Sequence, residues 1–348
     1  MQRNFFLTDL MGTGDPEVYD SFFNGNTLTD QHIDTCNGYF ALHLYDLDSY
    51  DRRFAIIDRK LNSLIVADEY KKELDRRIEL LHSQGFKFIL ATPWESLENC
   101  NSGFIYPRNI ENSMQWTGGT SWFWNLMYHM HKDKKYNFDH VEKPYDFFYL
   151  NKMARTHRTK LYTKMREEKL LDNSLHSNLQ ATTPTRLPPE YELPWVDADN
   201  YPEYGSDQDI FEKPYNHTKY NLISETNDNA REVFITEKLW KPIIAQQIFV
   251  VHGNHLYLQE LRDMGFKTFN NYFDESYDLE NDSDLKVDKI YKLCKDLLSK
   301  DWKDLYLQTQ SLRQHNYNTF MDKEKLAVQI NKVLLGFFEF FDSSEITS

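Results

Sequence analysis

Short apolar runs alternate with amphipathic helical stretches along this chain, and the alternation recurs in both halves. In the first half, residues 54–57 and 63–67 read as short strands. Asp68 then caps a helix whose Tyr70, Leu74, Ile78 and Leu81 share one face, and Gly85 stops it. The apolar run 86–91 follows as a buried strand. It ends at Thr92-Pro93-Trp94-Glu95, where open α/β sheets present ligand-contacting residues. Residues 122–131 read as a helix. The second half opens with a strand over 145–150 and a basic amphipathic helix over 158–171. A strand at 220–225, a helix running through Ala245 with Pro242 near its start, and a strand at 248–251 come next. Helices over 286–299, 301–317 and 323–341 close the chain, the last carrying an apolar stripe of Leu326, Ile330, Val333, Leu334 and Phe337. This alternation predicts an α/β protein with two Rossmann-like domains facing a central cleft. They span 1–142 and 143–322, and the helical segment 323–348 crosses back to the first.

A chain of 348 residues has room for two hydrophobic cores. Its 24 Phe and 22 Tyr imply that much of each core is ring-on-ring packing. The net charge of −14 argues against a protein whose main task is to clamp nucleic acid through phosphates, because that mode needs a basic surface. Cys36, Cys100 and Cys294 are far apart, odd in number and without metal-ligand spacing, which points to a reducing compartment. No apolar run reaches membrane-spanning length and the N-terminus lacks a signal-peptide core, so a cytoplasmic protein with no membrane insertion is expected. Residues 179–214 hold six prolines, and eight acidic residues with no Lys or Arg fall between 190 and 212. Such a segment reads either as a functional lid or as a solvated acidic loop.

The densest chemistry lies between Ser224 and Gly253. A strand ends in Glu225, a polar loop follows, and the next helix opens with Thr236-Glu237-Lys238. Backbone N–H groups at a helix start attract anions, Lys238 adds a charge suited to a diphosphate, and Glu225 or Glu237 can accept hydrogen bonds from sugar or ribose hydroxyls. A second basic element lies upstream. From 152 to 169 there are seven Lys or Arg against two Glu, including Arg155 and Arg158, whose planar forks match phosphate oxygens.

The run Phe234-Ile235-Thr236-Glu237-Lys238-Leu239 resembles the donor-binding signature of glycosyltransferase family 10, the α-1,3-fucosyltransferase type, which reads Tyr-Val-Thr-Glu-Lys-Leu/Ile. The flanking Ser224-Glu225-Thr226 and Ile248-Phe249-Val250-Val251-His252-Gly253 are similar to that family's Glu-Asn-Ser element and its Val-Pro-Val-Val-x-Gly strand. Leu258-x-x-Leu261-x-x-x-Gly265-Phe266 and Asp274-Glu275-Ser276-Tyr277-Asp278 resemble virus- or phage-encoded relatives. The likeness covers residues 220–278 well and 145–171 more weakly. It implies a GT-B-like fold and a nucleotide-sugar donor, with Glu237 on sugar or ribose hydroxyls, Lys238 on the phosphates, Glu225 matching the upstream Glu, and Arg155 or Arg158 on the pyrophosphate. Phe234 stands where the family has Tyr, Thr226-Asn227 where it has Asn-Ser, and Phe249 where it has Pro. Those departures leave open whether the donor is a GDP- or a UDP-sugar, and which sugar it carries.

Inverting transfer needs a base to take the acceptor proton, and the resemblance places that Glu in the N-terminal domain. Glu95 is the leading candidate, ahead of Asp34, Asp46 and Glu98. The Asp-x-Asp pairs at 46–48, 197–199, 207–209 and 282–284 are what an acidic chain produces by chance, and the family type holds its donor without a metal. No metal and no cofactor beyond the nucleotide sugar is therefore expected. Two acceptors fit: a glycan or lipid-linked sugar, which the net charge favours, or hydroxymethylated pyrimidine in viral DNA, which would need base flipping and a basic face. A carbohydrate-binding protein on a transferase scaffold is the non-enzyme alternative.

Overall fold

The computed structural model describes the backbone of residues 6–9, 26–27, 39–43, 87–91 and 113–116. From 119 to 332 it describes all residues except 139–141, 153, 180, 182–183, 192–207, 227, 229–232 and 331. The chain separates into two compact units, Met1–Leu126 with Ala327–Ser348, and Met127–Leu326. Among the described residues of the first unit are five strands, β1 (Phe6–Asp9), β2 (Asn26–Thr27), β3 (Tyr39–His43), β4 (Lys87–Ala91) and β5 (Ser113–Trp116). They form one all-parallel sheet in the order β2-β1-β3-β4-β5. The expected strand at 86–91 is β4. The strands expected at 54–57 and 63–67, the helix from Asp68, and the candidate bases Asp34, Asp46, Glu95 and Glu98 lie outside the described residues.

The helix α1 (Gly119–His131) leads into the second unit. There β6 (Tyr145–Asn151), β7 (Leu175–Asn178), β8 (Thr218–Ser224) and β9 (Ile248–His252) build a second all-parallel sheet in the order β7-β6-β8-β9. Parallel strands need crossover connections, and helices supply them: α2 (Thr156–Glu167) after β6, α3 (Glu212–His217) before β8, and α4 (Glu237–Ile244) between β8 and β9. After β9 come α5 (Tyr257–Asp263), α6 (Ser283–Ser299), α7 (Trp302–Gln308) and α8 (Gln310–Phe320). The chain leaves β6 toward β7 and returns on the other side to β8. The order of the sheet therefore reverses between β6 and β8, and the carboxyl ends of these two strands flank the crevice such a reversal opens.

Burial explains why the strands read as continuous apolar runs. All five residues of β9 and the central residues of β6 and β8 are buried, as parallel strands covered on both faces must be. Among the described residues the eight largest fully buried side chains are all aromatic, in keeping with the ring-rich composition. Phe147 packs on Tyr220 between neighbouring strands with ring centroids 5.7 Å apart, and Phe249 meets Phe269 at 5.0 Å. Trp240 of α4 lies between Phe266 and Phe320 at 5.4 and 5.7 Å.

Of the helix limits that differ from the sequence expectation, three have a local reason. The helix expected over 158–171 runs from Thr156 to Glu167, because Lys169 turns left-handed at φ 62°. Leu170 and Leu171 stay buried beyond the helix, so their apolar character extended the apparent helical period past its end. The single helix expected over 301–317 is two, α7 and α8. At the break, Thr309 Oγ1 donates to the Leu305 carbonyl at 2.8 Å, and the Arg313 guanidinium ties the Tyr306 and Gln246 carbonyls at 2.7 and 2.6 Å. Pro242 is accommodated inside α4, which stops two residues later. The next turn is closed by Gln246 at φ 51°.

Candidate functional site

Asn151 ends β6, and α2 begins five residues later with Arg155 as its N-cap. That helix end has no side-chain cap from Arg155 and no acidic residue in its own first turn. Instead, the α2 start is bolted to the end of β8. Arg158 donates from Nε (3.0 Å) and Nη2 (2.8 Å) to the Glu225 carbonyl, His157 Nε2 bonds the same oxygen at 2.9 Å, and Arg155 Nη1 donates to the Thr226 carbonyl at 3.0 Å. Arg158 is only 5% exposed, so its fork serves the backbone of the β8 end, while Arg155 is half-buried at the rim.

The Glu225 carboxylate is fully buried and receives four donors. Oε1 accepts from Thr236 N (3.1 Å) and the Tyr257 hydroxyl (2.7 Å), and Oε2 from Thr226 N (3.2 Å) and Thr236 Oγ1 (2.8 Å). An ionised carboxylate has about four lone-pair sites. All are taken, so Glu225 has no capacity left for a ligand hydroxyl and acts by holding together both ends of the 226–236 segment. The sequence reading offered Glu225 as an acceptor for sugar or ribose hydroxyls, whereas its oxygens are directed inward.

Thr236 is the N-cap of α4, accepting from Lys238 N at 3.3 Å. The amide of Lys238 is therefore occupied by the cap, and what this helix start offers outward is side-chain chemistry. Lys238 Nζ lies 2.8 Å from Glu237 Oε1, 3.1 Å from Thr236 Oγ1 and 3.5 Å from Thr226 Oγ1, and its side chain keeps 28% exposure. Burial alone would raise the Glu237 carboxyl, but the ammonium groups of Lys238 and Lys241 outweigh it and hold the group below the usual carboxylate range.

Behind this rim is a buried layer that sequence reading did not single out. Asp228 lies 3.4 Å from His157 Nδ1 and 4.0 Å from His252 Nε2, and Ser283 Oγ at the start of α6 donates to it at 3.0 Å. His252 at the tip of β9 is fully buried, stands edge-on to His157 at 5.2 Å, and neither of its ring nitrogens has a hydrogen-bond partner. Burial, then the neighbouring His157 and Lys286, hold it well below its usual pKa. Burial likewise brings His157 down to about 4 against the opposing pull of Asp228. Lys286 donates to the Gly253 carbonyl at 3.0 Å from a buried position that lowers its own pKa.

Six of the seven sequence-derived site residues, Arg155, Arg158, Glu225, Thr236, Glu237 and Lys238, are thus gathered at the carboxyl ends of β6 and β8. The seventh, Glu95, lies outside the described residues. Tyr257 was missed, although its spacing from Gly253 was a usable signal. A Cβ at Gly253 would sit 2.6 Å from Tyr257 Cδ2, so a residue with no side chain is needed where the ring crosses the chain. Among the described residues no group of three or more His, Cys, Asp or Glu side chains has metal-binding geometry, and no helix is long and apolar enough to cross a membrane. The chain matches no protein-family model and no curated protein.

Proposed function

We propose that this chain is a glycosyltransferase of GT-B type that takes its sugar from a nucleoside-diphosphate sugar bound over the carboxyl ends of β6 and β8. The observation that carries the reading is the meeting of Arg155, Glu237 and Lys238 at the point where the order of a parallel sheet reverses, beside an uncapped helix start. The resemblance of residues 234–239 to the family 10 donor signature supports the same placement. Arg155 and Lys238 would receive the diphosphate. Lys238 would exchange its bond to Glu237 for one to phosphate, freeing Glu237 to accept hydrogen bonds from ribose or sugar hydroxyls. Arg158 and Glu225 hold the two strand ends in register and do not themselves touch the donor.

In the transfer step an acceptor hydroxyl attacks the anomeric carbon and gives its proton to a base, a role for which Glu95 is the candidate from sequence. The bond from the anomeric carbon to the diphosphate oxygen breaks, and Lys238 and Arg155 stabilise the charge left on the nucleoside diphosphate. Inversion follows from the single displacement.

A glycan acceptor is favoured over duplex DNA by the state of the basic helix. Lys160 pairs with Asp284 at 2.6 Å and Lys164 pairs with Asp288, so α6 neutralises the charge that α2 would need to grip phosphates. The decisive experiment is calorimetry with GDP and UDP. The wild type is expected to bind one of them and Lys238→Ala to lose that binding, whereas equal affinity in both proteins would remove Lys238 from the donor site. Hydrolysis of the nucleotide sugar without acceptor separates a transferase from a binding protein on the same scaffold.

A further inference from the structure

We infer that Tyr257, Glu225 and the Thr236 hydroxyl form a directed hydrogen-bond relay whose task is to position the Lys238 ammonium. The inference rests on the donor site proposed above for its functional meaning, but its geometry is independent of the ligand. Proton counting fixes the direction. A carboxylate can only accept, so the single hydroxyl proton of Tyr257 goes to Glu225 Oε1 at 2.7 Å, and the single proton of Thr236 Oγ1 goes to Oε2 at 2.8 Å. Tyr257 keeps its proton, because burial and then the adjacent Glu225 charge hold its pKa well above the usual value. With its proton committed, Thr236 Oγ1 presents only lone pairs to the other side, where Lys238 N and Nζ approach at 3.3 and 3.1 Å. The hydroxyl of Thr236 is therefore locked as an acceptor toward Lys238 by a carboxylate that Lys238 does not touch.

The relay also joins three separate pieces of chain. Glu225 is at the end of β8, Thr236 at the start of α4 and Tyr257 at the start of α5. Tyr257 is in turn fixed from behind. The Asp278 carboxylate caps α5 through Leu258 N at 2.8 Å and Gln259 N at 3.2 Å, and Gly253 leaves room for the ring. Every member except Lys238 is at most 1% exposed, so no water competes for these bonds. Such an arrangement supplies preorganisation: the cation stands in place before the diphosphate arrives.

Trace acetylation of lysines with acetic anhydride, read by peptide mass spectrometry, reports how firmly Lys238 is held. Binding of GDP and UDP by calorimetry reports the consequence. Thr236→Val and Tyr257→Phe should each raise the acetylation rate of Lys238 severalfold relative to the other lysines. Each should also weaken nucleoside-diphosphate binding by about tenfold, the scale of losing one buried hydrogen bond. Thr236→Ser, which keeps the hydroxyl, should restore both to near the wild-type values. Glu225→Gln should be the most damaging, since an amide nitrogen on either side faces two donors. The two milder variants keep the test open if this one fails to fold. Unchanged Lys238 acetylation in Thr236→Val and Tyr257→Phe overturns the relay whatever the nucleotide result. Faster acetylation in a protein whose wild type binds neither GDP nor UDP upholds the relay and refutes the donor-site reading instead.

Discussion

Gly253→Ala tests the packing on which the site stands. The added methyl would lie 2.6 Å from Tyr257 Cδ2, 3.1 Å from Cγ and 3.2 Å from Cε2. The atoms it meets belong to a rigid ring that is 1% exposed and anchored through its hydroxyl to Glu225, so no flexible side-chain end can swing aside. Overpacking of this kind costs about 1–3 kcal/mol. In a unit of roughly 200 residues each kcal/mol moves the melting temperature by about 2–4 °C, so a fall of roughly 2–12 °C is expected by calorimetric melting. If the ring relieves the clash by tilting, its bond to Glu225 lengthens and nucleoside-diphosphate affinity falls with it. A double-mutant cycle isolates the cause. A Tyr257→Ala background removes the three atoms nearest to the methyl, so Gly253→Ala should cost about 1 kcal/mol or more less there than in the wild type. Additive costs would show that the ring is not what the glycine accommodates, and would refute the reasoning.

Two further expectations concern stability. His131 is fully buried, with Nε2 bonded to the Gln208 carbonyl at 3.1 Å and Nδ1 to the Tyr136 hydroxyl at 2.5 Å. Burial, then Lys134, bring its pKa from 6.5 to about 4. The unfolded chain takes up this proton first, so stability is intact above pH 6.5 and is lost as pH falls toward 4, by about 2 kcal/mol at pH 5. Denaturant melts at pH 7 and 5 should show a smaller drop for His131→Gln than for the wild type, and an equal drop would exclude His131 as the source. Leu256 opens α5 in the left-handed region at φ 60°, a conformation that costs a branched side chain about 1 kcal/mol, and it is partly exposed. Leu256→Asn should therefore raise the melting temperature slightly, and a lower melting temperature would mean that its packing outweighs the backbone strain.

Three of the four strands described in the second unit were legible, because a parallel sheet covered on both faces needs uninterrupted apolar runs; β6, β8 and β9 differ from expectation by only a residue or two, while the short β7, Leu-His-Ser-Asn, carries no such run and was not expected. Helix limits were less legible. Lys169 and Thr309 interrupt helical periodicity by backbone turns that their side-chain types do not announce. The grouping of Arg155, Arg158, Glu225, Thr236, Glu237 and Lys238 could be read from two charged segments that follow strands. Their division of labour could not. Arg158 and Arg155 differ by three positions on one basic run, yet one is buried on a carbonyl and the other lies at the rim. Glu225 reads as a ligand acceptor until the donors that saturate it arrive from residues 226, 236 and 257, a convergence set by tertiary structure alone.

The same convergence bears on how an acidic protein would take the anionic donor proposed above. Over the whole chain the charge is −14, which opposes a phosphate-rich partner at long range. Screening confines that opposition to about 8–10 Å at physiological salt, so the local balance decides what binds in a crevice. Around the ends of β6 and β8, among the described residues, Arg155, Arg158 and Lys238 stand with Glu225, Asp228 and Glu237. Two of the three carboxylates are turned inward, Glu225 onto its four donors and Asp228 onto the histidines and Ser283. Among the described residues, Glu237 is the carboxylate bonded to Lys238, so under the proposed function it would compete with the diphosphate for that ammonium. Removing that competitor with Glu237→Gln should tighten the binding of free nucleoside diphosphate while weakening the binding of the intact nucleotide sugar, because the phosphates gain a cation and the hydroxyls lose their acceptor. Calorimetry with both ligands reads the two effects separately, and a parallel change in the two affinities would show that Glu237 does not exchange between Lys238 and a hydroxyl.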